Sequence, residues 1–274
     1  MNSDHISENS FYNEIPTPGP SFLCAQTPGY WRLPLKILLG SLFIQASFSY
    51  RGMQNLGFAF SMLPLARLFG KKNKLMATFL TRHLQLFNTH PYLSGPIIGS
   101  IAGMEKSGGD AGAAAATVHL KNTLMGPYAA LGDSFFWGAL RPFAAVFSVL
   151  LALQQSLFAP AAFLLLFNPA HLWIRIKGFA EGYRRGRAGV DFIRLLDLPL
   201  LTGRIRWFSL AGLGGVAVAI IRSIPISSAG ITLDFFTKVV FLSLVLLCYW
   251  GIKKGISQVK MLYWMFAISC GICL

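Results

Sequence analysis

Asp133, Trp137 and Arg141 recur at intervals of four residues within a mostly apolar stretch. Residues four apart lie on one side of a helix, so an acid, a flat ring and a base would share one face. Together they could form a wall that binds hydroxyl groups. The structural alternative is that Asp133 caps a helix beginning after Gly132, while Arg141 pairs with it or extends to a membrane surface.

Two further sets of polar residues interrupt apolar sequence. Asn88 and His90 stand just before Pro91, where a helix could begin with its free N–H groups pointing outward, so they either bind a ligand or simply cap the helix. Gln45 and Gln54 occur in an early apolar stretch and could contact the same ligand or a neighbouring subunit. Polar groups are costly within a membrane unless they face water or a partner, which makes each a functional candidate.

Other kinds of chemistry find no support in the sequence. His83, His119 and His171 lack the Cys, Asp or Glu spacing of a metal site, and the Cys270–Cys273 pair has neither a second pair nor a nearby His. We find no nucleophile–base arrangement, phosphate-binding loop or dinucleotide motif. We therefore predict no catalytic residue, metal site or cofactor in this chain.

Composition indicates a membrane protein. The 274 residues are 54% hydrophobic and only 12% charged, about half the roughly 25% charged residues of a soluble domain. The net charge of +14 is gathered in short clusters between apolar segments, such as Lys71–Lys74 and Arg184–Arg187. This pattern is typical of cytoplasmic loops near anionic lipid and argues against nucleic-acid binding.

We predict an all-α integral membrane protein of transmembrane helices, re-entrant or broken helices and amphipathic helices. Residues 1–32 are polar, without a cleaved signal peptide, and are expected to form a disordered cytoplasmic tail. Residues 33–142 are expected to form a broken or re-entrant helical region, and residues 143–274 to form transmembrane helices.

Within these regions, individual helices can be assigned. Ser41, Gln45 and Ser49 predict a polar stripe on one helix, and residues 75–87 predict an amphipathic surface helix. Residues 91–104 and 124–140 are too short or too broken by Gly and Pro to span, so such segments must be buried in protein or line a cavity. Residues 146–167 predict a full span, followed by spans at 207–221, 235–252 and 256–274.

Four stretches resemble one known family. Residues 40–60, the Phe87-Asn-Thr-His-Pro-Tyr-Leu93 motif, residues 125–142 and residues 249–257 are similar, in this order, to motifs of the mannose/fructose/sorbose family IID components of the phosphotransferase system. The resemblance begins near residue 33 and covers most of the chain. One departure is Arg51-Gly52, where the family usually has an acidic residue and an Arg.

The resemblance implies a bacterial, multi-pass protein of the inner (cytoplasmic) membrane with a cytoplasmic N-terminus. Such a chain pairs with a IIC membrane subunit, in higher oligomers of IIC–IID pairs, to form a sugar path. Soluble IIA and IIB proteins carry the phosphate, and the sugar is a hexose or an amino sugar. The sugar-path candidates are then the side chains singled out above, namely Gln45, Gln54, Asn88, His90, Asp133, Trp137 and Arg141.

Two alternatives stay open. A IID-like structural or regulatory subunit that assembles with IIC but has lost transport would fit the Arg51-Gly52 departure. An unrelated membrane enzyme, such as a lipid transferase, would need a charged metal or phosphate site that the sequence does not display.

Overall fold

The computed structural model describes residues 30–69, 73–108 and 111–223, together with individual positions between 239 and 264. Every regular element in this part is helical, which confirms the all-α prediction. The helices are α1 (Leu33–Ser41), α2 (Asn55–Ala66), α3 (Asn73–His83), α4 (Ser94–Ser107), α5 (Ala111–Gly132), α6 (Arg141–Leu153), α7 (Ala159–Arg185), α8 (Asp191–Leu195) and α9 (Leu198–Ser223). A π-helical segment (Asp133–Leu140) joins α5 to α6, and short 3-10 turns lie at Tyr30–Arg32, Arg67–Phe69, Pro91–Leu93 and Gly186–Val190.

Helix α4 is the centre of the fold. Every residue from 93 to 103 is buried, so this short apolar helix is enclosed by protein, as the sequence requires of a segment too short to span. Three glycines at four-residue intervals, Gly95, Gly99 and Gly103, face α7. A Cβ atom on Gly99 would overlap the backbone of Phe179, so only glycine permits this approach of the two helices.

The long helix that follows differs from the sequence prediction. Residues 124–140 were expected to be broken at Gly126-Pro127 and Gly132, but α5, the π-helical segment and α6 continue as one helical stretch, Gly112–Leu153, of 42 residues. Pro127 lies inside α5 without ending it. The irregularity appears instead as the wider π turn, in which the Arg141 N–H donates to the Phe136 carbonyl.

The predicted span over residues 146–167 is wrong. Helix α6 ends at Leu153, and the chain turns through residues 154–158 before α7 begins. Gln155 takes a positive φ of 57°, and hydrogen bonds from Gln155 and Ser156 to carbonyls at the end of α6 close the turn. The apolar residues on both sides therefore belong to two packed helices rather than to one span.

The early region is also organised differently from the prediction. Helix α1 ends at Ser41, Gln45 lies in the turns that follow, and Ser49 forms a bridge with Met53. The predicted polar stripe on one helix is therefore wrong. The amphipathic prediction over residues 75–87 is closer, because α3 covers Asn73–His83 and the chain is extended beyond it.

The chain divides into two compact units, residues 1–214 and residues 215–274. The first contains α1 to α8 and most of α9. In the second, a helix ends at Gly255, whose φ is +80°, and the Ile256 N–H donates to the Gly251 carbonyl. This is a glycine-based C-terminal cap. It places a turn at the Lys253-Lys254 pair, between the last two predicted spans. Most residues of those two spans lie outside the described residues.

Large apolar side chains are exposed over much of the described surface. A helical stretch of 62 residues, Ala159–Ile220, and the one at Gly112–Leu153 are long and apolar enough to cross a membrane. On α9 the rings of Trp207 and Phe208 are 75% and 68% exposed. An aqueous surface rarely displays so many large apolar groups, whereas hydrocarbon favours them.

Candidate functional site

Gln54 joins the first sequence motif to the second. Its amide Nε2 donates to the Thr89 carbonyl over 2.8 Å, and its Oε1 accepts from the Thr89 N–H over 3.1 Å. The Gln54 N–H also donates to the Phe87 carbonyl, and the Asn55 amide donates to the Leu84 carbonyl. Gln54 is buried. Both ends of its amide therefore hold the segment that carries Asn88 and His90 in place.

His90 is the point where the second and third motifs meet. Its ring stacks on Phe136 at 5.1 Å between centroids and meets the edge of Trp137 at 4.9 Å. Gly132 lies against the imidazole, and a Cβ atom there would overlap it. His90 is only 1% exposed. One continuous structure around this ring is therefore formed by parts of the first three sequence motifs, namely residues 53–55, 87–93 and 125–142.

The hydrogen bonds of His90 fix its tautomer. Its Nδ1 accepts a hydrogen bond from the Tyr92 N–H at 3.3 Å, capping the 3-10 turn. A nitrogen that accepts carries no proton, so the neutral ring bears its proton on Nε2. Burial, with a further contribution from His171, lowers the pKa of His90 to about 4. Within the described residues the buried Nε2 has no hydrogen-bond partner.

The π-helical segment presents Asp133, Trp137 and, just beyond it, Arg141 as exposed side chains. The four-residue spacing therefore brings the three to an exposed side, as expected. Asp133 does not begin a new helix, because α5 continues directly into the segment and Gly132 is itself helical. Neither Asp133 nor Arg141 forms an ion pair or side-chain hydrogen bond with another described residue. Capping by Asp133 and an ion pair between Asp133 and Arg141 are therefore wrong, whereas the extension of Arg141 to a membrane surface stays a prediction.

Arg206 of α9 was missed by sequence reasoning. Its Nε donates to the Gly138 carbonyl at 3.3 Å, and its Nη2 lies 3.4 Å from the Ser134 hydroxyl. A π turn leaves its carbonyls less regularly paired than an α-helix does, so a guanidinium can satisfy one of them. Arg206 lies just before the span predicted at residues 207–221, and no local pattern connects it to a residue 68 positions earlier.

The remaining candidates are peripheral. Asn88 is exposed beside buried Thr89, and Gln45 is exposed in the turn after α1. The structure thus brings together Gln54, Asn88, His90 and Trp137 through direct contacts or adjacency, with Asp133 and Arg141 on the same π-helical element or at its end. It gives no described contact between Gln45 and this group.

Sequence reasoning also missed a buried polar cluster between α3, α4 and α5. Glu105 pairs with Arg82 at 2.8 Å, accepts a hydrogen bond from the Thr117 hydroxyl at 2.8 Å, and lies 3.1 Å from Nε2 of His83. Burial opposes ionisation of Glu105, but the contacts with His83, Arg82 and Thr117 outweigh it and lower its pKa. Burial lowers the pKa of His83. The sequence signal that could have revealed this cluster is Glu105, a single acidic residue in the mostly apolar helix α4.

Comparison with known proteins decides the family. The family model for the phosphotransferase system mannose/fructose/sorbose family IID component matches residues 34–274. The chain belongs to this family. This IID chain is 30% identical over 263 residues to the mannose-specific EIID component of Escherichia coli K12, covering 86% of this chain and 92% of that protein. It is 29% identical over 269 residues to the fructose permease IID component of Bacillus subtilis, covering 85% and 91% respectively.

Solved structures agree with this assignment. The IID chain superposes with a TM-score of 0.68 on a chain described as a membrane protein, at 28% identity and with 87% of this chain covered. It superposes with a TM-score of 0.52 on a chain from the mannose transporter ManYZ in complex with microcin E492, again at 28% identity, covering 87% of this chain and 94% of that one. The IID chain is therefore a membrane protein with a transporter fold.

Proposed function

We propose that this IID chain forms, together with a IIC membrane subunit, the pathway through which a sugar is taken up and phosphorylated. The chain itself supplies binding and orientation. Phosphoryl transfer lies on IIA and IIB partners, in keeping with membership of the IID family. The sugar is a hexose or an amino sugar.

One observation carries the proposal. Asp133 and Arg141 are exposed on or beside a helical stretch apolar enough to cross a membrane, and neither has a charged partner in the described part of the chain. Charges facing acyl chains are costly, so this side of the helix must meet water, another subunit or a polar ligand. A sugar path shared with IIC supplies all three.

Each residue then takes a role that its surroundings support. Asp133 and Arg141 bind sugar hydroxyls, and the half-exposed Trp137 provides a flat face for the C–H side of the ring. Buried His90 supports the indole of Trp137, while Gln54 positions the exposed Asn88 through the backbone of Thr89. Gln45 contacts sugar or the IIC subunit from the turn after α1.

The family and the charge pattern support a wider arrangement. We place the chain in the bacterial inner membrane with several crossings and the N-terminus in the cytoplasm, since Lys and Arg are retained on that side. IIB docks from the cytoplasm, and IIC–IID pairs associate into a higher oligomer. Residues 33–142 form the sugar-path region and residues 143–274 form transmembrane helices, with the membrane-length stretch Gly112–Leu153 extending across the boundary between them.

The test is uptake by the complete system. IIA, IIB, IIC and this IID chain are co-expressed in a host lacking mannose-type permeases, and uptake of radiolabelled mannose and glucosamine is measured. We expect Asp133→Asn to lower uptake roughly tenfold or more, because a hydrogen bond to a charged group contributes about 1.5–3 kcal/mol. Asp191→Asn, an equally exposed carboxylate on α8, is the matched control and should retain uptake.

Co-purification with IIC separates a binding defect from an assembly defect. Full uptake by Asp133→Asn with normal assembly would contradict the proposed site. Assembly of the unsubstituted chain with IIC, but without uptake of any tested hexose or amino sugar, would favour the subunit that has lost transport. That alternative is not favoured, because Arg51 is exposed and Gly52 is a packing glycine whose Cβ would overlap the Asn55 side chain.

A further inference from the structure

A basic cavity lies away from the proposed sugar path. Its volume is about 550 Å³, and it is bounded by the C-terminal ends of α4 and α7 and the turn that begins at Gly186. Four cationic side chains line it, Lys106, Arg184, Arg185 and Arg187, and none of the described residues that line it is a carboxylate. Gly186 has a φ of +57°, which reverses the chain and brings Arg187 to the rim.

The cations exceed the negative charge around them. Arg185 contacts Glu181 at 3.2 Å, and this carboxylate is shared with Lys177 at 3.1 Å. The C-terminal ends of two helices add roughly −0.5 charge each. Among the described residues, Arg184, Arg185 and Arg187 thus carry +3 against a nearby negative charge of about −2. Arg184 and Arg187 form no ion pair with any described residue.

Amphipathic surface lies on α7 and on the helix that follows the cavity in the chain. Helix α8 follows directly from its rim, with Leu195 81% exposed and Arg194 exposed beside it. Phe192 packs on Trp173 of α7 at 5.6 Å, and this indole is 52% exposed. Exposed aromatic and aliphatic groups next to arginines are typical of the boundary between hydrocarbon and headgroups.

We propose that this cavity binds the phosphate group of an anionic membrane phospholipid. The guanidinium groups of Arg184 and Arg187 donate to the phosphodiester oxygens, while Leu195 and Trp173 lie against the acyl chains. The surplus of about one positive charge among the described residues suits a lipid carrying a phosphodiester. A basic pocket between helices at the membrane surface has the chemistry for such headgroups.

The test uses the purified IIC–IID complex. After delipidation, phosphatidylglycerol, cardiolipin or phosphatidylcholine is added back, and native mass spectrometry counts the lipids retained per complex. The Arg184→Gln/Arg187→Gln double variant is compared with Arg67→Gln/Arg204→Gln, which removes two exposed arginines elsewhere. We expect the first variant to bind anionic lipid at least tenfold more weakly, and the control to match the unsubstituted complex.

Further arms identify the source of the phosphate. Inorganic phosphate at millimolar concentration should displace little lipid, and phosphatidylcholine should bind equally to all variants. Arg187→Glu, a single change at an exposed position, should reproduce the loss. Equal anionic-lipid retention in the double variant and the control would overturn the proposal. The proposal would also be overturned if inorganic phosphate alone saturated the cavity, or if the double variant lost only its binding to IIB.

Discussion

Two cationic side chains of this protein, Arg175 and Lys121, are buried. Arg175 is 5% exposed and donates to the Ser41 carbonyl at the C-terminal end of α1, where the helix dipole favours a cation. Lys121 is fully buried, with its ammonium 3.4 Å from the Gln85 carbonyl and over the ring of Phe58. Such groups are tolerated because carbonyls and rings replace water around them.

The cluster around Glu105 makes stability depend on pH. The folded-state pKa of His83 lies below its usual 6.5, so the unfolded chain binds a proton more readily below that pH. Glu105 also has a lowered pKa and acts in the same direction at lower pH. Stability should therefore fall as the pH falls from 7.5 to 5.5, by at most about 1.4 kcal/mol from His83.

Thermal unfolding in detergent at the two pH values measures this effect. We expect His83→Gln to reduce the acid-induced fall in melting temperature, because the residue that takes up the proton is gone. His119→Gln, an exposed histidine on α5, should leave the fall unchanged. Equal pH dependence in all three proteins would show that the buried cluster does not couple proton uptake to folding.

At the scale of elements, the packing of α4 on α7 is the principal constraint. We predict that Gly99→Ala destabilises the chain by roughly 1–3 kcal/mol, because a Cβ atom there overlaps the Phe179 backbone. Gly126→Ala is the matched control, since nothing lies within 4 Å of a Cβ atom at that helical position. It should be neutral or slightly stabilising.

Melting temperature and membrane yield compare the two glycine variants. Equal behaviour of both would contradict the claim that backbone contact between α4 and α7 governs the fold. A selective loss in Gly99→Ala would support it, and larger side chains at Gly95 or Gly103 should then have a similar effect.

Sequence patterns predicted some elements and misplaced others for physical reasons. The apolar, glycine-rich α4 was recognised as a short segment needing protein on all sides, because its composition makes it too apolar for water and its length makes it too short to span. The turn between α6 and α7 was missed because its sequence, Gln154-Gln155-Ser156, contains no glycine or proline. Gln155 adopts a positive φ although it is not a glycine, and no local pattern predicts that. The breakers at residues 126 and 127 predicted an interruption, but the helix continued around Pro127.

The candidate site was predictable only where it depends on local sequence periodicity. Periodicity alone brought Asp133, Trp137 and Arg141 to an exposed side of the helix. The clamp between Gln54 and Thr89 and the stacking of His90 on Phe136 join residues far apart in the chain, so no local pattern contains them. Arg206 and the Glu105 cluster were missed because each depends on how separate helices pack.

At the scale of the whole molecule, the central claim is that the exposed side of the π-helical segment lines an aqueous path completed by IIC. A helical stretch of 42 residues extends about 63 Å, so only about half of it can lie within the roughly 30 Å of hydrocarbon. Asp133 stands near the middle of this stretch, and where that part crosses the membrane the assembly must provide a polar environment for the carboxylate. The chain's own described residues leave that side uncovered.

Thiol accessibility at this position measures the claim most directly. In a chain whose four native cysteines are replaced, Asp133→Cys is assembled with IIC in membrane vesicles and treated with a charged, membrane-impermeant thiol reagent. We predict that the thiol reacts and that a transported sugar slows the reaction, whereas Leu165→Cys, on the exposed apolar surface of α7, stays unreactive. A thiol at position 133 that is as unreactive as the one at position 165, or whose labelling no sugar alters, would contradict it.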